Sequence, residues 1–263
     1  MFLKPDYDQN LFKGTANFYA KYRTPYLEIM LENLVKDANI SKEDKLLDLA
    51  CGPGRLSIPL AKYFNEVVAI DLEEEMIFEG KRIANKMGIN NIQWIIGKAE
   101  DLNANSETFK LVTIGDAFHR LDQLVVLKNI DKVLQKIGYL GIIGGKIITV
   151  GNREWQNALN RILLKWKKQD NNNINVNYKD QFPKALEEFG FKDVSTKIFE
   201  DKITLTVEEI IGYLYSISVY SKQVIGNDID EFEKTIKIGL LELEPQNIFE
   251  HDFSCVYTIG RKK

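Results

Sequence analysis

Two glycines flanked by two carboxylates set the chemistry open to this chain. Lys45 to Arg55 reads KLLDLACGPGR and Val67 to Asp71 reads VVAID, so an apolar strand enters a glycine turn, and a second apolar strand ends on a carboxylate seventeen residues after Gly54. This is the layout of a nucleotide-binding α/β unit. Gly52 and Gly54 let the backbone approach a ligand where a β-carbon would collide, and Asp71 stands where a carboxylate accepts hydrogen bonds from both hydroxyls of a ribose. An adenosine derivative is the expected ligand. Asp48, inside the first strand and three residues before Cys51, suits the ammonium of an amino acid. Turns of this kind also join strands to helices in proteins without any ligand, and the spacing to Asp71 is what favours binding here.

A dinucleotide site asks for a third small residue and for free amides at a helix N-terminus. Here Pro53 offers no amide and Ser57 stands in place of the third glycine. The residues instead resemble the first motif of the class I S-adenosylmethionine-dependent methyltransferases, an acidic residue, a variable position, then G-C-G-x-G, with Ala50 where that family most often has glycine. The resemblance implies S-adenosyl-L-methionine as cofactor. It assigns Asp48, Gly52 and Gly54 to the amino acid end and Asp71 to the ribose, with Ala50, Cys51 and Leu72 among the cofactor contacts.

Later segments resemble the same family. Ile95 to Leu102, IIGKAEDL, is similar to its G-D-A-x-x-L segment, which implies that Ala99 and Glu100 receive the adenine, although Lys98 replaces the usual acidic residue. The loop after the fourth strand carries A-F-H at Ala117 to His119, as in the methyltransferase type 11 like branch, with Arg120 in place of tryptophan. Ligands of open α/β sheets bind outside the carboxyl ends of strands, so Gly115 to His119 should face the transferred methyl group, with Asp116 among the cofactor contacts. His119 is the expected general base, because it is the histidine of the site and its neutral form accepts a proton near pH 7. The competing reading is that it orients the loop or caps the next helix.

Leu11 to Tyr26, LFKGTANFYAKYRTPY, is similar to F-x-G-x-A-x-x-Y-x-x-Y-R-x-x-Y of that branch, which implies that Tyr19, Tyr22 and Arg23 lie over the cofactor. Aromatic faces tolerate a sulfonium, and a guanidinium binds a carboxylate. GNREWQ from Gly151 and TVEEIIGYLYSIS from Thr206 also resemble the branch, making Trp155, Tyr213, Tyr215, Ser216 and Ser218, with Tyr19 and His119, candidates to line the acceptor pocket. Packing is the alternative for each aromatic residue. The implied activity is methyl transfer to a small-molecule acceptor; a non-catalytic cofactor-binding protein and a nicotinamide-dependent oxidoreductase are the alternatives.

Strands and helices alternate from Lys45, which predicts a Rossmann-like doubly wound α/β sheet. Strands are expected at 45–50, 66–71, 91–97, 109–115, 138–144, 191–200 and 252–261. Helices are expected at 55–64, 74–88, 121–136, 153–168, 182–189, 207–220 and 228–242. The resemblance implies a seven-stranded mixed sheet closed by an antiparallel pair, with a helical N-terminal arm (1–43), a cofactor-binding core (44–150) and a substrate side with a helical lid (151–263), all in one domain. A polar loop is expected at 169–177.

The chain has 263 residues, 44% of them hydrophobic, a formal charge of −3 and two cysteines, Cys51 and Cys255. This suits a globular core with reduced thiols and no metal site, and it argues against a nucleic acid partner. Pro5 and Asp6 follow the first four residues, so neither a signal peptide nor a membrane span is expected, and the expected compartment is the cytoplasm.

Overall fold

The computed structural model describes residues 2, 11–102, 107–166 and 181–263. Its strands are β1 (Lys45–Leu49), β2 (Glu66–Asp71), β3 (Ile92–Ile96), β4 (Phe109–Gly115), β5 (Leu134–Gly145), β6 (Lys192–Leu205) and β7 (Phe249–Arg261). The helices are α1 (Ala16–Tyr22), α2 (Glu28–Asp37), α3 (Ser57–Leu60), α4 (Glu74–Lys86), α5 (Gln123–Val133), α6 (Glu154–Trp166), α7 (Gln181–Phe189), α8 (Val207–Tyr215), α9 (Lys222–Ile225) and α10 (Ile229–Leu241). Among the described residues no helix is long and apolar enough to cross a membrane. The polar loop expected at 169–177 lies outside the described residues.

The strands form one sheet in the order β3-β2-β1-β4-β5-β7-β6. β1 to β5 run parallel, and β7 is antiparallel to both β5 and β6. Strand order reverses between β1 and β4, and ligands of such sheets bind where the two directions of winding part.

Alternation along the strands explains the two faces. Leu47 and Leu49 of β1, with Val112 and Ile114 of β4, point to a core closed by α5 and α7. Leu46 and Leu111 point the other way, to a core closed by Met30 and Leu34 of α2 and by Leu60 of α3. A third apolar cluster lies away from the central strands: Trp155, Leu159, Ile210, Leu214, Phe232 and Phe249 join α6, α8 and α10. α8 starts with a capping box in which Thr206 and Glu209 satisfy each other's backbone amides.

The helix expected to run to residue 136 ends at Val133, because Leu134 already pairs with Phe109 and begins β5. β6 and β7 are longer than expected, paired from Lys192↔Arg261 to Leu205↔Phe249, because the pairing continues past the sheet's main body to the helices it carries.

Candidate functional site

The turn after β1 is built from unusual backbone. Ala50, Gly52 and Gly54 have φ of +52°, +55° and +85°, so three of five successive residues are left-handed. Cys51 N donates to Ile70 O and Gly54 N to Cys51 O, which holds the turn against β2 before α3 starts. Asp71, at the end of β2, reaches back to it: Oδ2 accepts the Gly52 amide at 2.7 Å and Oδ1 the Glu73 amide at 2.9 Å. Burial raises this carboxyl above its ordinary value against the pull of those amides.

The two glycines do different work. At Gly52 an added β-carbon would meet nothing nearer than Tyr19 Cε1 at 3.8 Å, so this backbone faces the crevice. At Gly54 the same atom would stand 2.6 Å from the Trp94 ring. Gly54 is therefore required by packing onto β3 and not by a ligand, contrary to expectation. Gly80 on α4 is equally close to that ring, at 2.5 Å, so Trp94 packs tightly against both the turn and α4, which nothing in the motif marks.

Asp48 also departs from expectation. It is fully buried, accepts the Ser57 amide at 3.1 Å and the Ser57 hydroxyl through Oδ2, and accepts the Thr113 hydroxyl at 2.8 Å through Oδ1. These bonds tie β1 to α3 and β4, so the carboxylate lines the small cavity by the turn with each of its oxygens already engaged. Burial raises it to about 6. Burial likewise pushes the Cys51 thiol well up, and Cys51 and Cys255 are both free.

Above the turn sits a cluster of cations and rings. Asp116, itself left-handed at φ +53°, accepts the Tyr26 hydroxyl at 2.7 Å and Arg55 Nη1 at 3.1 Å through Oδ2, and the Gly145 amide at 3.0 Å through Oδ1. The Arg23 guanidinium lies between the rings of Tyr19 and Tyr213, 4.8 and 4.7 Å from their centroids. It donates to the Tyr213 hydroxyl at 3.2 Å and to Ser216 O at 3.3 Å. Both acceptors are neutral, Nε is buried without a partner, and among the described residues no carboxylate pairs with Arg23. Arg55 and Tyr26 are thus site residues without an individual expectation, although both stand inside the motifs already read.

Other expected residues lie elsewhere. Tyr22 stacks on Phe18 and presses its ring against Gly212 of α8, away from the crevice. Trp155 is 3% exposed, donates to Glu250 O and packs on Phe249 inside the lid cluster. The Tyr215 hydroxyl donates to Glu233 at 3.0 Å, and its ring packs on Phe18 and Phe232. Ser216 and Ser218 are buried at the end of α8. Tyr22, Trp155 and Tyr215 therefore hold the lid together and do not line the crevice. Ala99 is buried in a short 3-10 turn after β3, with Leu72 half-buried after β2. Glu100 Oε1 accepts the Asp122 amide at 3.0 Å and so also ties that turn to α5.

His119 is 9% exposed, and Nδ1 is buried without a partner. Burial, then the Arg120 charge, lowers it to about 4. It is neutral at pH 7 as expected, but it is a weaker base than an ordinary imidazole.

Beside the turn, Tyr19, Tyr26, Asp48, Cys51, Arg55 and Gly115 line a small cavity of about 20 Å³. A groove of about 660 Å³ lies at the opposite end of the strands, among Lys42, Pro59, Phe64, Met87 and Ile89. Two of its polar groups are engaged within the chain, Lys42 on Lys62 O and Asn91 on Ala61 O. No metal-ligating cluster occurs among the described residues.

Comparison with known proteins locates this arrangement. Residues 46–138 match the family model described as a methyltransferase domain. The demethylmenaquinone methyltransferase of Staphylococcus saprophyticus is 33% identical over 113 residues, 41% of this chain and 48% of that protein. That of Staphylococcus aureus strain Newman is 33% identical over 115 residues, 42% and 47%. The chain spans about half the length of the curated relatives it matches. Among solved structures, a protein of Anaeromyxobacter dehalogenans assigned as a type II methyltransferase superposes with a TM-score of 0.64 at 16% identity, covering 92% of this chain and 98% of that one. Phosphoethanolamine N-methyltransferase 2 of Haemonchus contortus, solved with phosphomonomethylethanolamine and S-adenosylhomocysteine, gives 0.55 at 13%, covering 94% and 56%. At these identities the likeness is one of fold.

Proposed function

We propose that this chain, whose residues 46–138 match a methyltransferase-domain model and whose sheet superposes on a solved methyltransferase fold, is a class I S-adenosylmethionine-dependent methyltransferase that transfers a methyl group from S-adenosyl-L-methionine to a small-molecule acceptor. The observation that carries the reading is Arg23, a cation without a carboxylate beside the glycine turn. Arg23 is half-buried with an unpartnered Nε and neutral acceptors, so the carboxylate of an amino acid would give it a charge-assisted hydrogen bond it otherwise lacks.

The residues fit that cofactor chemically. Arg23 offers Nε and a planar fork to the carboxylate. Each Asp71 oxygen already accepts one amide and keeps a lone pair for a ribose hydroxyl. Gly52 lets the chain come close, and the turn at Ala99 and Glu100, with Leu72, borders the adenine side. Asp48 and Gly54 support the turn from beneath.

S-adenosyl-L-methionine supplies a methyl group on a sulfonium that is already activated. The chain's contribution is then chiefly alignment and exclusion of water by Tyr19, Tyr26 and Tyr213. Alignment of two bound reactants supplies roughly 7 to 11 kcal/mol, against roughly 3 to 5 kcal/mol from a general base. With its ring lowered to about 4, His119 receives a proton only weakly, so the reading rests on positioning.

Calorimetric titration with S-adenosylhomocysteine tests it, with NADH as the control ligand. Binding of the first and not the second is expected, together with a rise in melting temperature, because about 100 Kd of ligand adds about 2.7 kcal/mol. No heat and no thermal shift at millimolar S-adenosylhomocysteine would overturn the reading. Release of S-adenosylhomocysteine with pooled metabolites as acceptors then separates an enzyme from a binding protein.

A further inference from the structure

The segment from Arg23 to Tyr26 leaves α1 with a cation at its first position and a tyrosine of the site at its last. Thr24 stands before Pro25, which holds it extended, so its carbonyl is left to a partner outside the helix. Arg55 is that partner. Its Nη2 donates to Thr24 O and its Nη1 to Asp116 Oδ2 at 3.1 Å, so one guanidinium joins the turn after β1, the loop after β4 and the connection between α1 and α2. Both of its terminal nitrogens are engaged inside the chain.

Rings and guanidiniums alternate across this part of the site. Arg23 lies 4.7 and 4.8 Å from the centroids of Tyr213 and Tyr19, and Arg55 lies 5.8 and 4.3 Å from those of Tyr19 and Tyr26, which gives the order Tyr213, Arg23, Tyr19, Arg55, Tyr26. Guanidinium planes stack well on such rings. The two cations differ in what balances them: Asp116 pairs with Arg55, whereas among the described residues no carboxylate pairs with Arg23. Arg55 is therefore committed to the fold, and Arg23 is the cation open to an anion.

Two sets of contacts decide where Arg23 stands. On the lid side Phe18 packs on Tyr215 and Tyr22 presses on Gly212, which seats α1 on α8. On the sheet side the bond from Arg55 reaches the carbonyl of the very next residue, so the Arg23 backbone follows this bond. The first set relates Arg23 to the lid, and the second relates it to the glycine turn.

We propose that Arg55 is a positioning residue for the cofactor: by tying Thr24 to the turn and to Asp116, it holds the Arg23 backbone where that guanidinium meets the cofactor's carboxylate. This rests on the cofactor reading above. Arg55 itself does not touch the cofactor, and its effect is confined to the amino acid end.

Calorimetric titration with two probes, S-adenosylhomocysteine and 5′-methylthioadenosine, tests this, because the second keeps the nucleoside and lacks the amino acid end. Arg55→Lys keeps a charge opposite Asp116 but cannot reproduce the planar fork that reaches Asp116 and Thr24 together. It should bind S-adenosylhomocysteine about 3- to 10-fold more weakly, the worth of one hydrogen bond, and 5′-methylthioadenosine as the wild type does. Arg55→Met, which discards both bonds, should lose at least as much with the first probe and little with the second. In an Arg23→Met background the loss caused by Arg55→Lys should shrink to within about twofold, because a residue acting through Arg23 then has nothing to position. Equal weakening of both probes, a loss that persists in full without Arg23, or wild-type affinity in both Arg55 variants would overturn the positioning role and leave the cofactor reading intact. Failure of the wild type to bind either probe at millimolar concentration would overturn the cofactor reading and this role with it.

Discussion

Asp48 accepts both the amide and the hydroxyl of Ser57, so the carboxylate of the first strand closes the glycine turn from below. It holds the turn in place from inside the core, and it has a measurable cost. Burial, opposed by the bonds from Ser57 and Thr113, raises this carboxyl from 3.8 to about 6. Between those values the folded protein keeps a proton that the unfolded chain has lost. The stability from this group is therefore fully present below pH 4 and is lost as pH rises through 6, a span of about 2 units or about 3 kcal/mol. Asp48→Asn removes the titration and keeps an acceptor for Ser57. Urea unfolding should show the variant gaining on wild type by about 2 to 3 kcal/mol between pH 4 and pH 7; a difference that does not change with pH would sink the assignment.

The glycines of the turn separate stability from binding. Gly54→Ala puts a methyl group 2.6 Å from the Trp94 ring at φ +85°, combining overpacking with a left-handed alanine. A loss of about 2 to 4 kcal/mol in urea unfolding is expected. Gly52→Ala meets nothing closer than 3.8 Å, so only the left-handed strain of about 1 to 2 kcal/mol applies, while its methyl group points into the crevice. Titration of the folded Gly52→Ala protein with S-adenosylhomocysteine should show the larger loss of affinity. The reverse ranking in either measurement would contradict the two orientations.

Much of this arrangement was legible in the residues before any coordinates. Strand and helix order followed from the apolar runs because central parallel strands are buried on both faces, and Asp71 was found at the end of its strand. What misled was depth. Nothing in a motif tells whether Gly54 is small for a ligand or for Trp94, forty residues away in the chain. Strand parity turns Asp48 inward, a consequence of alternation that the motif alone does not carry. Resemblance makes Trp155 and Tyr215 pocket candidates, yet a stripe at helical spacing serves packing equally well, and the lid has a core of its own to fill. Ala50 stands where the resembled motif most often has glycine, and the demand at that position is conformational, φ +52°.

Arg23 should carry opposite signs in the free and bound protein. Without a ligand it is a half-buried cation whose hydrogen-bond partners are a phenol and a carbonyl. Arg23→Met keeps much of the stem's packing and discards the charge, so the free protein should be as stable as wild type or more so. Binding of S-adenosylhomocysteine should weaken by about 10- to 100-fold, the worth of a charge-assisted hydrogen bond of roughly 1.5 to 3 kcal/mol. Arg23→Lys should recover little, because a lysine cannot reproduce the planar fork. Calorimetry on the three proteins, with melting temperatures in the absence of ligand, checks both signs. A destabilised free Arg23→Met protein that binds normally would remove Arg23 from the site.

The two histidines should make the fold acid-labile. Burial is the first cause at both, followed by Arg120 at His119 and by Lys146 at His251, and each imidazole is lowered from 6.5 to about 4. The unfolded chain binds protons in that interval that the folded chain refuses. The stability contributed by the neutral rings is therefore whole above pH 6.5 and is lost as pH falls towards 4. The span of about 2.5 units corresponds to about 3 kcal/mol per ring, and two such losses exceed the roughly 3 kcal/mol that Asp48 returns over part of the same interval. Against a typical total of roughly 5 to 15 kcal/mol, the net effect should be visible in melting curves taken from pH 7.5 to 4.5. His251 Nδ1 lies 3.2 Å from Gln156 Nε2, and a glutamine at 251 can offer an oxygen to the same amide. The double variant His119→Gln, His251→Gln should lose at least half of the wild-type slope, and an unchanged slope would mean that the acid sensitivity resides in other groups.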